Sequence, residues 1–361
     1  MKVFTGNGCL KQLLNEIKTR QYRKILVVTG KSSFDKSGLK EKLISEFQGS
    51  ELTFFSEFSP NVKFEESYAG CEKIKSSDIK AVFAIGGGSV IDMGKTISLN
   101  PGSREGLRQM VLGQKEIHET LPFYCAPTTA GSGSEATHFA VIYMDGQKYS
   151  LAHEKLIPLG VAVDPELSVS MPPYLTACSG FDALSQAIES YWANGATEQS
   201  REYAARAISL ILPALENAIL SPAPESRQDM ALGAHYAGKA INLSKTTAPH
   251  AFSYYLTSAY GIPHGHAVAI FTGLFFKINQ GAIPSGLYKI MNCDSAEACY
   301  NLWYEMMDHC QLEYRMEKLG IPETECENII SYVNLERLKN NPVILDKEDL
   351  LTNLKKIYHS A

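Results

Sequence analysis

The chain has 361 residues, 34 Lys+Arg against 39 Asp+Glu, and a formal net charge of −5. With 45% hydrophobic and 20% charged residues it reads as an ordinary globular protein with room for two domains. The acidic balance argues against a nucleic-acid or anionic-membrane binder, so an anionic ligand must meet a local positive site.

At the N-terminus, "MKVFTGNGCLKQLL" lacks a signal-peptide core, and no run of about 18 apolar residues is found. "KILVVTG" (24–30) predicts a buried strand, followed by the polar "KSSFDKSG" and the helical pattern "LKEKLISEF". "ELTFFSEF" (51–58) reads as a second strand, "FEESYAGCEKIKSS" as a helix, and "AVFAI" (81–85) as another short strand. Alternating strands and helices predict a parallel sheet covered on both faces, whose ligands gather at the strands' carboxyl ends.

One such end is "AIGGGSVIDMGKTIS" (84–98). Gly86, Gly87 and Gly88 can turn the chain with backbone N–H groups facing a pyrophosphate, and Ser89 opens a helix with a favourable dipole. A ligand-free strand-to-helix turn has the same composition. The fingerprint G-x-G-x-x-G is not matched, and the loop G-x-x-x-x-G-K-[ST] is missed because Ser89 stands where its first Gly belongs. A second loop, "YCAPTTAGSGSEAT" (124–137), gathers the hydroxyls of Thr128, Thr129, Ser132 and Ser134 among small residues. It can wrap a phosphate or a ribose, or be a plain surface turn.

Near "VDPELSVSMPP" (163–173) the texture changes to long amphipathic helices, so the predicted domains are 1–165, α/β, and 166–361, all-α. "SGFDALSQAIESYW" (179–192) puts Asp182 and Gln186 one helical turn apart on one face. "TTAPHAFSYYLTSAYGIPHGH" (246–266) carries His250 and His264 on a helix interrupted by Gly261 and Pro263. One carboxylate and two imidazoles are a plausible divalent-metal set. Each also has an ordinary role, Asp at a helix start and His in a core or on a surface, and spacing does not join distant residues. The eight cysteines are scattered without a CxxC pair and read as reduced, mostly buried thiols, which predicts a cytoplasmic location.

"GGGSVIDMGK", "PTTAGSGSEAT", "VDPEL", "FDALSQAIESY" and "PHAFSYYLTSAYGIPHG" occur in this order and resemble the iron-containing (group III) alcohol dehydrogenase family over roughly residues 1–280. The resemblance implies a nucleotide-binding α/β domain, a helical domain, and a cleft between them for NAD(P)H and one divalent metal, an architecture shared with dehydroquinate synthase. It matches Asp182, His250 and His264 to metal ligands and Lys148 to a lysine near the cofactor. A homo-oligomer, a dimer among the options, is expected.

The departures are informative. The family's fourth ligand, a His, is Gln186, a neutral oxygen donor that leaves Fe, Zn or Mn open. A further family His is Tyr254, so proton relay there would pass through the phenol, water or His266. Many NAD-preferring members carry an Asp at the end of the first strand; this chain has Gly30, then Lys31, Ser32 and Ser33, which predicts a preference for NADP(H). Ser244, Lys245, Thr246 and Thr247 stand where small residues usually precede the first His. With "SGSEATHFAVIY" and "DALSQAIESYWA", this segment resembles the phosphonoacetaldehyde reductase branch. It implies reduction of phosphonoacetaldehyde to 2-hydroxyethylphosphonate, with the phosphonate on Lys245, Thr246 and Thr247. Lys245 can equally be a solvated helix-end lysine, and Arg201 is another candidate cation. The alternatives are a general short-chain alcohol or lactaldehyde dehydrogenase of the same family, a dehydroquinate synthase-type lyase, and a nucleotide-binding regulator with a decayed metal site.

Overall fold

A computed structural model describes residues 1–333 and 338–359; the side chains of Ser32, Lys356, Ile357 and His359 are also outside the described set. The chain divides into two compact units, Met1–Thr129 with Ser134–Ser168, and Ala130–Gly133 with Val169–Ala361. The division falls after Ser168, and the short Ala130–Gly133 segment counts with the second unit.

The first unit is built on a parallel sheet of strands β1 (Lys2–Thr5), β2 (Lys24–Thr29), β3 (Glu51–Phe55), β4 (Ala81–Gly86), β5 (Phe123–Pro127) and β8 (Gly160–Val163). Their order is β1-β8-β5-β4-β2-β3. Ile25, Leu26, Val27 and Val28 in β2, and Ala81 to Ile85 in β4, are buried almost completely, as a sheet covered on both faces requires. The covering helices are α1 (Leu10–Thr19), α2 (Ser32–Lys36), α3 (Leu39–Glu46), α4 (Phe64–Ser77), α5 (Gly88–Ser98) and α6 (Arg104–Val111). From β2 the chain steps outward to β3, then returns to the other side of β2 for β4 and β5. The carboxyl ends of β2 and β4 therefore form the topological switch point, the place where open α/β sheets bind ligands. Strands β6 (Phe139–Met144) and β7 (Gln147–Ala152) form a separate hairpin. Asp145 (φ 53°) and Gly146 (φ 75°) supply its two positive-φ turn residues.

The second unit is helical: α7 (Pro173–Trp192), α8 (Glu198–Leu220), α9 (Pro224–Ser244), α10 (Ala248–Tyr260), α11 (His264–Asn279), then helices over Ser285–Ile290, Ala296–His309, Glu325–Tyr332 and Lys347–His359. Pro at its first position and Thr176 to Ser190 almost wholly buried make α7 the central helix. A Cβ on Gly180 would lie 2.3 Å from Leu215 Cδ1, so glycine there lets α8 seat against α7. By length and composition alone α8 could cross a membrane, although its residues form no unbroken apolar run. It carries Pro213, and its Ala204, Ala207, Ile208, Ile211 and Leu215 are buried in the bundle, as in a core helix. The eight cysteines are free thiols, seven of them buried.

Candidate metal centre and nucleotide loops

The glycine turn lies at the switch point. Gly86 ends β4, Gly87 caps α5, and the helix starts at Gly88. Gly86 pairs with Pro127, and Thr128 N donates to Gly86 O at 3.0 Å, which lays the hydroxyl loop beside the turn. A Cβ on Gly87 would stand 3.3 Å from Thr129 Cγ2. Gly30 and Lys31 follow the neighbouring strand β2, and Lys31, exposed, caps α2. Gly30, Lys31, Gly86, Gly87, Gly88, Ser89, Thr128 and Thr129 are thus gathered at the carboxyl ends of β2, β4 and β5, although Ser89 Oγ already accepts from Asn61 N at 3.3 Å. The side chain of Ser32 is outside the described set. Ser132 lies in the segment grouped with the second unit, and Lys148 stands in β7 opposite Tyr143. Buried Lys95 anchors the rest of the loop, donating to Ser134 O at 2.6 Å and to Thr137 O and Phe139 O at 2.8 Å.

In the second unit, Asp182, His250 and His264 each offer a ligand atom, all within 4.8 Å of one another. Asp182 stands mid-way along α7, His250 in the first turn of α10, and His264 at the first position of α11. Gly261, left-handed at φ 65°, ends α10, and Pro263 caps α11, so the break between them folds the second imidazole back toward the first. The ring centres of His250 and His264 are 5.4 Å apart. Close helix packing completes the approach: a Cβ on Gly265 would lie 2.0 Å from Cys178 O and 2.7 Å from Asp182 Cβ. Gly265→Ala is therefore expected to cost about 1–3 kcal/mol through overpacking against backbone. Thermal melts should also show a smaller rise in Tm on adding Zn2+, because α11 moves His264 away from Asp182.

The electrostatics are those of a site built for a cation. Among the described residues, Asp182 Oδ1 and Gln186 Oε1 are buried acceptors without a hydrogen bond, and Oδ1 lies 3.4 Å from His250 Nε2. Oxygens left so cost about 1–3 kcal/mol each unless something positive meets them. Burial opposes ionisation of Asp182, but His250, His264 and Gln186 hold its carboxyl below the usual carboxylate range. Burial also disfavours a charged His250, but Glu189 and Asp182 overcome it and push the imidazole up to about 10. The same carboxylates that favour a proton on His250 would favour a divalent ion, and binding of the ion would compete with that proton. One carboxylate and two imidazoles fit a divalent ion of intermediate softness.

Sequence reasoning missed two supporting residues. Glu189, fully buried, hydrogen-bonds His250 Nδ1, and Ser253 Oγ lies 3.3 Å from His264 Nδ1. The spacing held a signal for the first, since Glu189 is seven residues after Asp182 and shares its face of α7. Two expectations need correction. Thr247 cannot donate to a phosphonate: its hydroxyl donates to Glu189 Oε2 at 2.9 Å and accepts from Trp192 Nε1 at 2.9 Å. A hydroxyl has one proton, and Thr247 has spent it. His266 is no relay, because its nitrogens engage Tyr174 Oη at 2.9 Å and Glu313 O at 2.5 Å. Arg201 donates Nε to Tyr191 O at 3.1 Å, which leaves its two terminal nitrogens without a hydrogen bond among the described residues. Tyr254 stacks on His264 with ring centres 5.7 Å apart.

Lys245 is different. It is exposed, and its ammonium has no acceptor among the described residues. Its backbone, at φ 62° and ψ 178°, occupies a region populated almost only by glycine, at a cost of about 1–3 kcal/mol. Asn340 Nδ2 holds that conformation by donating to Ser244 O at 2.8 Å and Thr246 O at 2.9 Å. Thr246 is half-buried beside it.

A dinucleotide-type sheet and a buried carboxylate–imidazole cluster are the parts that a metal-dependent dehydrogenase requires. The iron-containing alcohol dehydrogenase model matches residues 1–165, and the C-terminal model of the Fe-containing alcohol dehydrogenase family matches residues 176–358. The chain belongs to the iron-containing alcohol dehydrogenase family, whose members are oxidoreductases that bind NAD(H) and a divalent metal. It is 29% identical to sulfoacetaldehyde reductase from Bifidobacterium kashiwanohense, solved with NAD+, with a TM-score of 0.94 and coverage of 100% of this chain and 98% of that one. Long-chain-alcohol dehydrogenase 1 of Geobacillus thermodenitrificans is 28% identical over 327 residues, 88% of this chain and 82% of the relative. Phosphonoacetaldehyde reductase of Streptomyces viridochromogenes is 33% identical over 214 residues, 56% of this chain and 54% of the relative.

Proposed function

We propose that the protein reduces phosphonoacetaldehyde to 2-hydroxyethylphosphonate with NADPH as the preferred hydride donor, working as a cytoplasmic homo-oligomer. The observation that carries the substrate is Lys245, an exposed cation without an acceptor among the described residues, kept in a glycine-type conformation five residues before His250. A strained lysine where glycine would be at ease argues that the side chain itself is needed. Two similar proteins bear the names of reductases for anionic acetaldehydes, one a phosphonate and one a sulfonate.

Asp182, His250 and His264 would hold the ion, with Gln186 Oε1 as the further oxygen donor. A bound divalent ion supplies Lewis acidity toward a carbonyl oxygen, and the nicotinamide supplies the hydride. Lys245 attracts the anionic end of the aldehyde and fixes its orientation, with the Thr246 hydroxyl beside it. On the nucleotide side, Gly86, Gly87, Gly88 and Ser89 offer N–H groups to the pyrophosphate, and Thr128, Thr129, Ser132 and Lys148 offer donors to the rest of the dinucleotide. Gly30, Lys31 and Ser32 leave the ribose end without a carboxylate and add a cation for a 2′-phosphate. Gly30→Asp is therefore expected to lower the ratio of kcat/KM for NADPH over NADH by about 10–100-fold, the worth of one charged hydrogen bond.

The assay compares phosphonoacetaldehyde, sulfoacetaldehyde and propanal as substrates of metal-reconstituted protein, following loss of nicotinamide absorbance. A kcat/KM highest for the phosphonate supports the proposal. The sulfonate in first place favours the second reading, a sulfoacetaldehyde reductase, which the structural likeness supports. Equal values for charged and neutral aldehydes would point to a general alcohol dehydrogenase. Unchanged absorbance with all three would point to the lyase.

A further inference from the structure

Glu189 lies seven residues beyond Asp182 on α7 and has no solvent exposure. A buried carboxylate is costly unless each oxygen is satisfied, and its two oxygens serve different masters. Oε1 meets His250 Nδ1, while Oε2 accepts from Thr247 N at 2.6 Å and Thr247 Oγ1 at 2.9 Å. Trp192 Nε1, also from α7, donates to the same Thr247 hydroxyl at 2.9 Å. Thr247 is the residue before α10 and lies two positions after Lys245.

These contacts fix protons as well as positions. Thr247 N and Thr247 Oγ1 both donate, and a carboxylate, which only accepts, puts the hydrogen of the third contact on His250 Nδ1, where a neutral amide would not. His250 must carry hydrogen on Nδ1, which leaves Nε2, 3.4 Å from Asp182 Oδ1, as its ligating nitrogen. Ser253 repeats the device on the second imidazole. Its hydroxyl donates to His250 O at 2.8 Å, so toward His264 Nδ1 it acts as acceptor, which puts that ring's lone pair on Nε2.

Resting on the reading of Asp182, His250 and His264 as a metal centre, we propose that Glu189 is its positioning residue. One carboxylate sets the metal-facing tautomer of His250 and anchors the loop that presents Lys245, so cation affinity and anion recognition share a support.

The critical variant is Glu189→Gln, which keeps size and shape. Thr247 N–H cannot reverse, so the amide oxygen stays on that side and the amide nitrogen turns to His250. The nitrogen can only donate, which forces Nδ1 to accept and moves the ring proton onto Nε2, the ligating atom. The expected result is a Zn2+ affinity about 10–100-fold weaker, measured on metal-stripped protein by competition with a chromogenic chelator, at unchanged circular dichroism. Glu189→Asp, which keeps the acceptor character, should recover part of that loss. A Zn2+ affinity equal to wild type in folded Glu189→Gln overturns the proposal. The wild type gives a second test that needs no variant. Histidine 15N resonances of the Zn2+-loaded protein should show His250 protonated at Nδ1 and metal-bound at Nε2, and the reverse pattern overturns the proposal. A wild type that binds Zn2+ as expected yet reduces no anionic aldehyde removes the proposed substrate and leaves the role of Glu189 standing.

Discussion

Asp182→Ala is expected to yield a folded chain that no longer retains a divalent ion and whose kcat/KM falls by about 10³-fold. The variant removes the only carboxylate of the cluster that joins Asp182, His250 and His264 and leaves two imidazoles facing each other. Lewis-acid assistance is worth several kcal/mol, and at about 1.4 kcal/mol per decade a loss of some 4 kcal/mol gives that factor. Stability should not fall in proportion, because a buried carboxylate carries a desolvation cost that alanine does not. Metal content by mass spectrometry, a thermal melt and steady-state rates decide the matter together. Full metal content with full activity would remove the site from the mechanism and leave the nucleotide fold without its electrophile.

Lys245 gives the second large effect, and its signature has two parts. Lys245→Ala should raise KM for phosphonoacetaldehyde by about 10–100-fold, the worth of one charged hydrogen bond, and leave KM for propanal nearly unchanged. Lys245→Gly should lose the same discrimination while making the protein more stable. Relief of about 1–3 kcal/mol of backbone strain outweighs the roughly 0.5–1 kcal/mol that glycine loses through its freer unfolded chain. A residue whose removal stabilises the fold and impairs one substrate class is held there by selection on that substrate. Equal rises in KM for charged and neutral aldehydes, or a lower Tm in the glycine variant, would return Lys245 to the solvated helix ends.

The two predictions draw on different kinds of knowledge. Residue type and local spacing exposed the alternation of strands and helices, the Gly86–Gly88 turn, and the pair Asp182 and Gln186 on one face of α7. These depend on short-range geometry, namely the period of a strand, the turn of a helix and the freedom of glycine at a strand end. The Gly261 and Pro263 punctuation between His250 and His264 was legible for the same reason, and the motif order carried the family.

Tertiary packing decided the rest. Whether Thr247 could bind an anion depended on Glu189 and Trp192, which lie 58 and 55 positions away along the chain. His266 had the right chemistry for a relay, but its nitrogens were taken by Tyr174 and Glu313, 92 and 47 positions distant. The strain at Lys245 is a property of φ and ψ set by Asn340, and a lysine in a sequence bears no mark of it. By itself the sequence determined which groups exist and which neighbours share a face. The folded structure alone decided which donors and acceptors remained to do chemistry, because a hydrogen bond is a short-range, saturable contact between atoms that the chain separates and only packing reunites.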